Sequence, residues 1–121
     1  VRAGLWIGIM EKIKIAKNVR KKFEDTELDR KELAQLYFDY NPIKDVENFV
    51  DRALFQFPSL NCGLASIYLK KILGGEVITG KYNGNNHTFL VKEKLIIDVT
   101  ADQYGGPKVY VGKLKQPWTL K

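Results

Sequence analysis

The chain has 121 residues, is 45% hydrophobic and carries a formal charge of +6, which suits one globular domain with a modest core. A single cysteine excludes an internal disulfide framework and a cysteine-rich zinc site, and a single histidine leaves too few ligands for an ordinary catalytic zinc. The positive balance admits an anionic partner, yet no stretch interleaves aromatic and basic residues as nucleic-acid-binding segments do.

Val1 to Ile9 is apolar apart from Arg2. It is too short to span a membrane, and no small-residue cleavage site follows before Glu11-Lys12. Met10-Glu11-Lys12 reads as an ordinary translation start. Residues 1–9 are therefore treated as a leader of uncertain status, and 10–121 as the single domain. From Glu11 to Glu32 six acids alternate with eight bases, the pattern of a solvated helical face. Beyond Asp102 there are four lysines and no acid.

The spacing of Ile13, Ala16, Val19 and Phe23 predicts an amphipathic helix over 12–23, with a break at Asp25-Thr26. Leu33, Leu36, Tyr37 and Tyr40 predict a second over 29–40, ended by Asn41-Pro42 because the residue before proline leaves the α region. Val46, Phe49, Val50, Ala53 and Leu54 predict a third over 43–55. The fourth starts after Asn61, placed as an N-cap whose side chain accepts from an early helical N–H. Its stripe is Leu64, Ala65, Tyr68, Leu69 and Ile72, and Gly74-Gly75 ends it. Cys62 thus lies in the first turn of a buried helix.

After Gly75 the period changes to two. Strands are predicted over 76–82, 87–91, 95–100 and 108–112, with turns at Asn83-Gly84-Asn85-Asn86 and Gly105-Gly106-Pro107. Strands that follow helices without βαβ alternation give an α+β domain, with helices packed on a small antiparallel sheet.

Three pieces carry chemistry. A cysteine at a helix N-terminus is favoured as thiolate by the helix dipole and the unpaired N–H groups there. If Lys92-Glu93 is the tip of a hairpin, or of a longer turn in the same register, Val91 faces Lys94, Phe89 faces Ile96 and His87 falls opposite Asp98. Directly opposed side chains stand about 4.5–5.5 Å apart. Asp98 interrupts the apolar run Leu95-Ile96-Ile97, where a buried carboxylate is costly without a partner, and His87 supplies one. Such a pairing leaves one imidazole nitrogen free to act as base towards a thiol. The rival reading makes Cys62 a small buried apolar residue and His87 a satisfied core residue.

Cysteine at a helix start, then His87-Thr88-Phe89-Leu90-Val91, then Ile97-Asp98-Val99-Thr100, resembles the triad order of papain-like and transglutaminase-like cysteine hydrolases. The His and Asp strands are similar to those of small bacterial and phage papain-fold proteins, among them protein-glutamine deamidase toxins and effectors. The resemblance covers about residues 56–112 and not the N-terminal helices. It implies a papain-like fold, a catalytic triad of Cys62, His87 and Asp98, and no cofactor or metal. It also implies an oxyanion-hole role for Gln56, since papain-like enzymes often place a glutamine six residues before the nucleophile; on the residues alone, Gln56 equally reads as the end of the third helix. Leu64 departs from the aromatic that follows many papain nucleophiles, and the roles of Asp102 and Gln103 are open.

The expected activity is amide hydrolysis on a protein or peptide substrate, by a deamidase or a peptidase, with transglutamination less favoured. The chain would act in the cytoplasm or be delivered into a target cell as an effector. Two readings compete: a catalytically silent papain-fold binding module, and a basic adaptor that binds nucleic acid through its lysine-rich ends.

Overall fold

The computed structural model describes the backbone of residues 2–121 and the side chains of residues 8–121. Four helices, α1 (Arg2–Glu24), α2 (Arg30–Tyr40), α3 (Val46–Gln56) and α4 (Cys62–Leu73), precede five strands. These are β1 (Glu76–Tyr82), β2 (Asn85–Lys92), β3 (Leu95–Asp98), β4 (Tyr110–Lys113) and β5 (Trp118–Thr119), with a 3-10 turn at Ala101–Tyr104 between β3 and β4. The α+β arrangement and the antiparallel sheet match the sequence expectation. Of the leader at residues 1–9, Val1 lies outside the described residues, and residues 2–9 open α1.

Local chemistry explains the helix ends. Asp29 caps α2, its Oδ1 accepting from the N–H groups of Lys31 at 3.0 Å and Glu32 at 3.1 Å. Helix α3 starts at Val46 and not at Ile43, because Asp45 before it is left-handed at φ 55°, a conformation a right-handed helix cannot include. Gly74, at φ 77°, closes α4.

The sheet runs β4-β3-β2-β1-β5, with every described pairing antiparallel. Asn83-Gly84 makes a two-residue turn with both residues at positive φ, so β2 begins at Asn85, ahead of the His87 start expected. The β2–β3 tip is Glu93-Lys94, at φ 51° and 67°. Lys92 therefore stays in the ladder opposite Leu95, and Val91 faces Ile96 where Lys94 was expected. This corrects the predicted register by two residues, which leaves every side chain on its predicted face. His87 and Asp98 become diagonal neighbours and not directly opposed ones. Strand β3 stops at Asp98, short of Thr100, and β4 begins at Tyr110, past Lys108.

Strand β5 was not predicted. It lies beside β1, pairing Tyr82 with Trp118 and Lys81 with Thr119. Gly80 permits the approach: a Cβ there would lie 2.2 Å from the Thr119 carbonyl oxygen. The sheet curls until its two edges touch, with Tyr110 of β4 stacked on Trp118 of β5 at 4.2 Å between ring centroids.

One core lies between the helices and the sheet, built on Val19, Phe23, Leu33, Val50, Leu64, Leu69, Leu90 and Ile97. A second fills the curl with Tyr82, Phe89, Ile96, Ala101 and Trp118. Strand alternation assigns His87 with Phe89, and Asp98 with Ile96, to the face that lines the curl. No helix among the described residues is long and apolar enough to cross a membrane.

Candidate functional site

Cys62 is the first residue of α4 and is partly buried. Asn61 occupies the N-cap position, but its side chain makes no capping bond, contrary to the sequence reading. Its Nδ2 donates instead to the carbonyls of Ala53 and Ser59, tying the end of α3 to the start of α4. The early N–H groups of α4 are thus left without a side-chain cap beside the thiol. Ser66, one turn on, donates to the Cys62 carbonyl at 2.6 Å and approaches the Thr88 carbonyl at 3.3 Å. It couples the first turn of α4 to the strand that carries His87.

His87 is 1% exposed. Its ring is bounded by Tyr104 (5.5 Å, edge-on), Tyr82 (6.1 Å, edge-on) and Phe89 (6.0 Å). Nε2 lies 2.7 Å from Asp98 Oδ2, and the Trp118 indole N–H donates to that same oxygen at 2.8 Å. Asp98 Oδ1 accepts from the Thr100 N–H at 2.9 Å and faces its hydroxyl at 3.4 Å. The buried carboxylate is satisfied on both oxygens. His87 Nδ1 is buried and has no hydrogen-bond partner among the described residues; Cys62 lies close enough for it and His87 to shift each other's pKa.

Burial pushes the Cys62 thiol up, but His87 beside it, and then the backbone and hydroxyl of Thr88, outweigh burial and hold it below the ordinary thiol range. Burial likewise pulls His87 down, and the hydrogen bonds and charges of Asp98 and Cys62 more than reverse this, to about 9. Both directions shift the pair towards thiolate and imidazolium.

These shifts have a consequence for stability. Taken alone, the raised His87 contributes stability that is complete below about pH 6.5 and is lost as pH rises through about 9. The lowered Cys62 contributes stability present above about pH 8.5, lost as pH falls through its folded value. Between these limits the two slopes oppose. The urea midpoint of the parent is therefore expected to change less from pH 7 to 8.5 than that of Cys62→Ala, in which only the falling histidine contribution remains. Equal slopes would mean the two groups do not share a proton.

His87 is bonded to Asp98, and Cys62 lies close enough to His87 for each to shift the other's pKa. Gln56 is not part of the cluster: it is the last residue of α3, exposed, and makes no side-chain hydrogen bond among the described residues. Its carbonyl accepts from the Ser59 N–H at 2.9 Å. Asp102 and Gln103 acquire roles as struts. Arg20 of α1 grips Asp102 with two bonds, 2.7 and 2.9 Å, and donates to the Val99 carbonyl at 2.9 Å. Gln103 Nε2 donates to the Thr100 carbonyl at 3.2 Å. Tyr104, held by its hydroxyl on the Asn86 carbonyl at 3.0 Å, covers His87.

Trp118, Ser66, Arg20 and Tyr104 escaped the sequence reading. Arg20 was hidden in a charge run read as solvated, and Trp118 in a lysine-rich tail. An indole among lysines, next to a proline, was the available signal. Surface concavities of about 440 and 470 Å³ lie against α2 and α3, and neither is lined by Cys62, His87 or Asp98. No family model matches the chain, and neither a curated protein nor a solved structure matches it.

Proposed function

We propose that the chain is a papain-like thiol hydrolase that cleaves a carboxamide or peptide C–N bond on a protein or peptide. The observation that carries this is the buried His87, fixed through Nε2 on Asp98 and left with an unpartnered Nδ1 beside a half-buried thiol at a helix start. A core histidine placed only for packing would have both nitrogens satisfied or one in water. Here the unsatisfied atom is the one a nucleophile needs.

The Cys62 thiolate attacks the carbonyl carbon and forms the C–S bond. The oxygen charge that develops is met by the uncapped N–H groups at the start of α4. The C–N bond then breaks, and imidazolium His87 gives its proton to the departing nitrogen. Water attacks the thioester while His87 takes the water's proton, and the acid product leaves with Cys62 restored. Asp98 stabilises and orients the imidazolium throughout. The backbone donors carry the oxyanion in this scheme, and Gln56, whose side chain is exposed, is given no part in it.

The decisive experiment incubates glutamine-containing proteins and peptides with the parent and with Cys62→Ala. A mass gain of about one dalton, from amide to acid, marks deamidation; paired fragments mark proteolysis. Either product is expected with the parent only. Product formed equally by Cys62→Ala would overturn the proposal.

A further inference from the structure

We propose that Trp118 is a positioning residue of this site, whose indole N–H shares Asp98 Oδ2 with His87 and moderates the pull of the carboxylate on the imidazole. This rests on the triad reading above and adds a fourth member to it, contributed by the C-terminal strand.

The geometry is specific. Two donors, His87 Nε2 at 2.7 Å and Trp118 Nε1 at 2.8 Å, converge on one carboxylate oxygen, while Thr100 occupies the other. The indole is 3% exposed and has little freedom to turn away. Tyr110 stacks on it at 4.2 Å, Tyr82 meets it edge-on at 4.9 Å, and its own backbone is paired with β1. An indole N–H can only donate, so it cannot take the proton that His87 must move.

A donor on a carboxylate stabilises its charge and weakens what that charge offers a neighbour. Without the indole N–H, Asp98 would bind imidazolium His87 harder. The ring would hold its proton more tightly, and a general acid held too far above the working pH gives its proton up slowly. Trp118 therefore keeps the carboxylate in place while leaving the imidazolium able to release. The groups that face His87 are Cys62 from α4, Asp98 from β3, Tyr82 from β1 and Tyr104 from the 3-10 turn; Trp118 reaches it only through Asp98.

The test replaces the indole N–H by sulfur, incorporating benzothienylalanine for tryptophan in a Trp6→Phe background, since the chain has two tryptophans. The one histidine gives a single imidazole signal to titrate by NMR. Loss of the donor is expected to raise the His87 midpoint by roughly half to one pH unit, up to about tenfold in proton affinity. Tyr110→Leu, which removes the stacking and keeps the N–H, is expected to leave the midpoint unmoved. An unchanged or lowered midpoint in the sulfur analogue overturns the proposal, as does an equal shift in Tyr110→Leu. Iodoacetamide labelling of Cys62 in the same samples is read separately. Ordinary-thiol behaviour in the parent removes the hydrolase reading, while the His87 titration still decides what the indole does.

Discussion

In His87→Ala, labelling of Cys62 by iodoacetamide at pH 6 is expected to fall several-fold from the parent. The pH at which labelling is half-maximal is expected to climb to that of a free thiol. A thiol with a pKa of about 8.5 is ionised to only about one part in 300 at pH 6. In the parent, His87 holds the thiol below its ordinary range, so far more of it is thiolate. A more acidic thiolate is a weaker nucleophile, which returns part of the ratio. The start of α4 remains in the variant, but a helix terminus contributes about 0.3–1 kcal/mol, less than one pKa unit. The imidazolium therefore decides the outcome. Because alanine leaves the Asp98 carboxylate buried with one partner fewer, His87→Gln is run beside it: glutamine can donate to Asp98 without carrying charge. With one cysteine in the chain, intact mass reads a single site. Fast labelling at pH 6 in both variants would sink the Cys62–His87 pair and the mechanism built on it.

The parts of this site legible in the sequence are those whose constraint is local. Cys62 announces itself by lying just before a periodic apolar stripe, and Asp98 by interrupting an apolar strand. Their meeting with His87 survived an error in hairpin register, because a slip of two residues preserves the face of every side chain. A slip of one would have turned the imidazole out of the curl and the prediction would have failed. Neither Lys92-Glu93 nor Glu93-Lys94 contains the asparagine or glycine that usually marks a type I′ turn, so local chemistry does not fix which pair forms the tip. The true tip is pinned from outside, by Lys12 of α1 at 3.4 Å from Glu93. No local rule contains that contact.

The illegible parts are the long-range ones. Strand β5 has two residues, too few for any period to show, and its place beside β1 depends on Gly80, distant in sequence. Asn61 has the residue type of an N-cap and the position of one, yet it bonds the preceding helix because the Ala53 carbonyl is brought within reach by the fold. Arg20 and Lys12 sit in a segment whose alternating charges predict a solvated face, and both are buried. Each is buried because an acid from the sheet half of the chain, Asp102 or Glu93, comes to meet it.

That last meeting carries the second large effect. Asp102→Ala is expected to destabilise the domain by about 3 kcal/mol or more, the usual cost of stripping one partner from a buried ion pair. Arg20 is buried, and its remaining carboxylate, Glu24, is 40% exposed, too well solvated to compensate fully. With a urea slope of about 1–3 kcal/mol per molar, the midpoint should drop by roughly 1–3 M with the slope unchanged. The reverse deletion should cost less. Arg20→Met keeps an unbranched apolar stem over Phe57, where the guanidinium now lies 4.5 Å from the ring centre. It leaves behind an Asp102 that is 19% exposed and can recover water. The order Asp102→Ala worse than Arg20→Met follows from which charge can reach solvent, and the opposite order would show that the pair is not the strut. The strut also serves the site. Asp102 lies between Thr100, whose N–H fixes Asp98, and Tyr104, whose ring covers His87, so Arg20 anchors the whole turn to α1. In Asp102→Ala, measured where the variant is still folded, Cys62 labelling at pH 6 should fall as water reaches the imidazole and screens it. The N-terminal helices would then be shown to hold His87 and Asp98 in place.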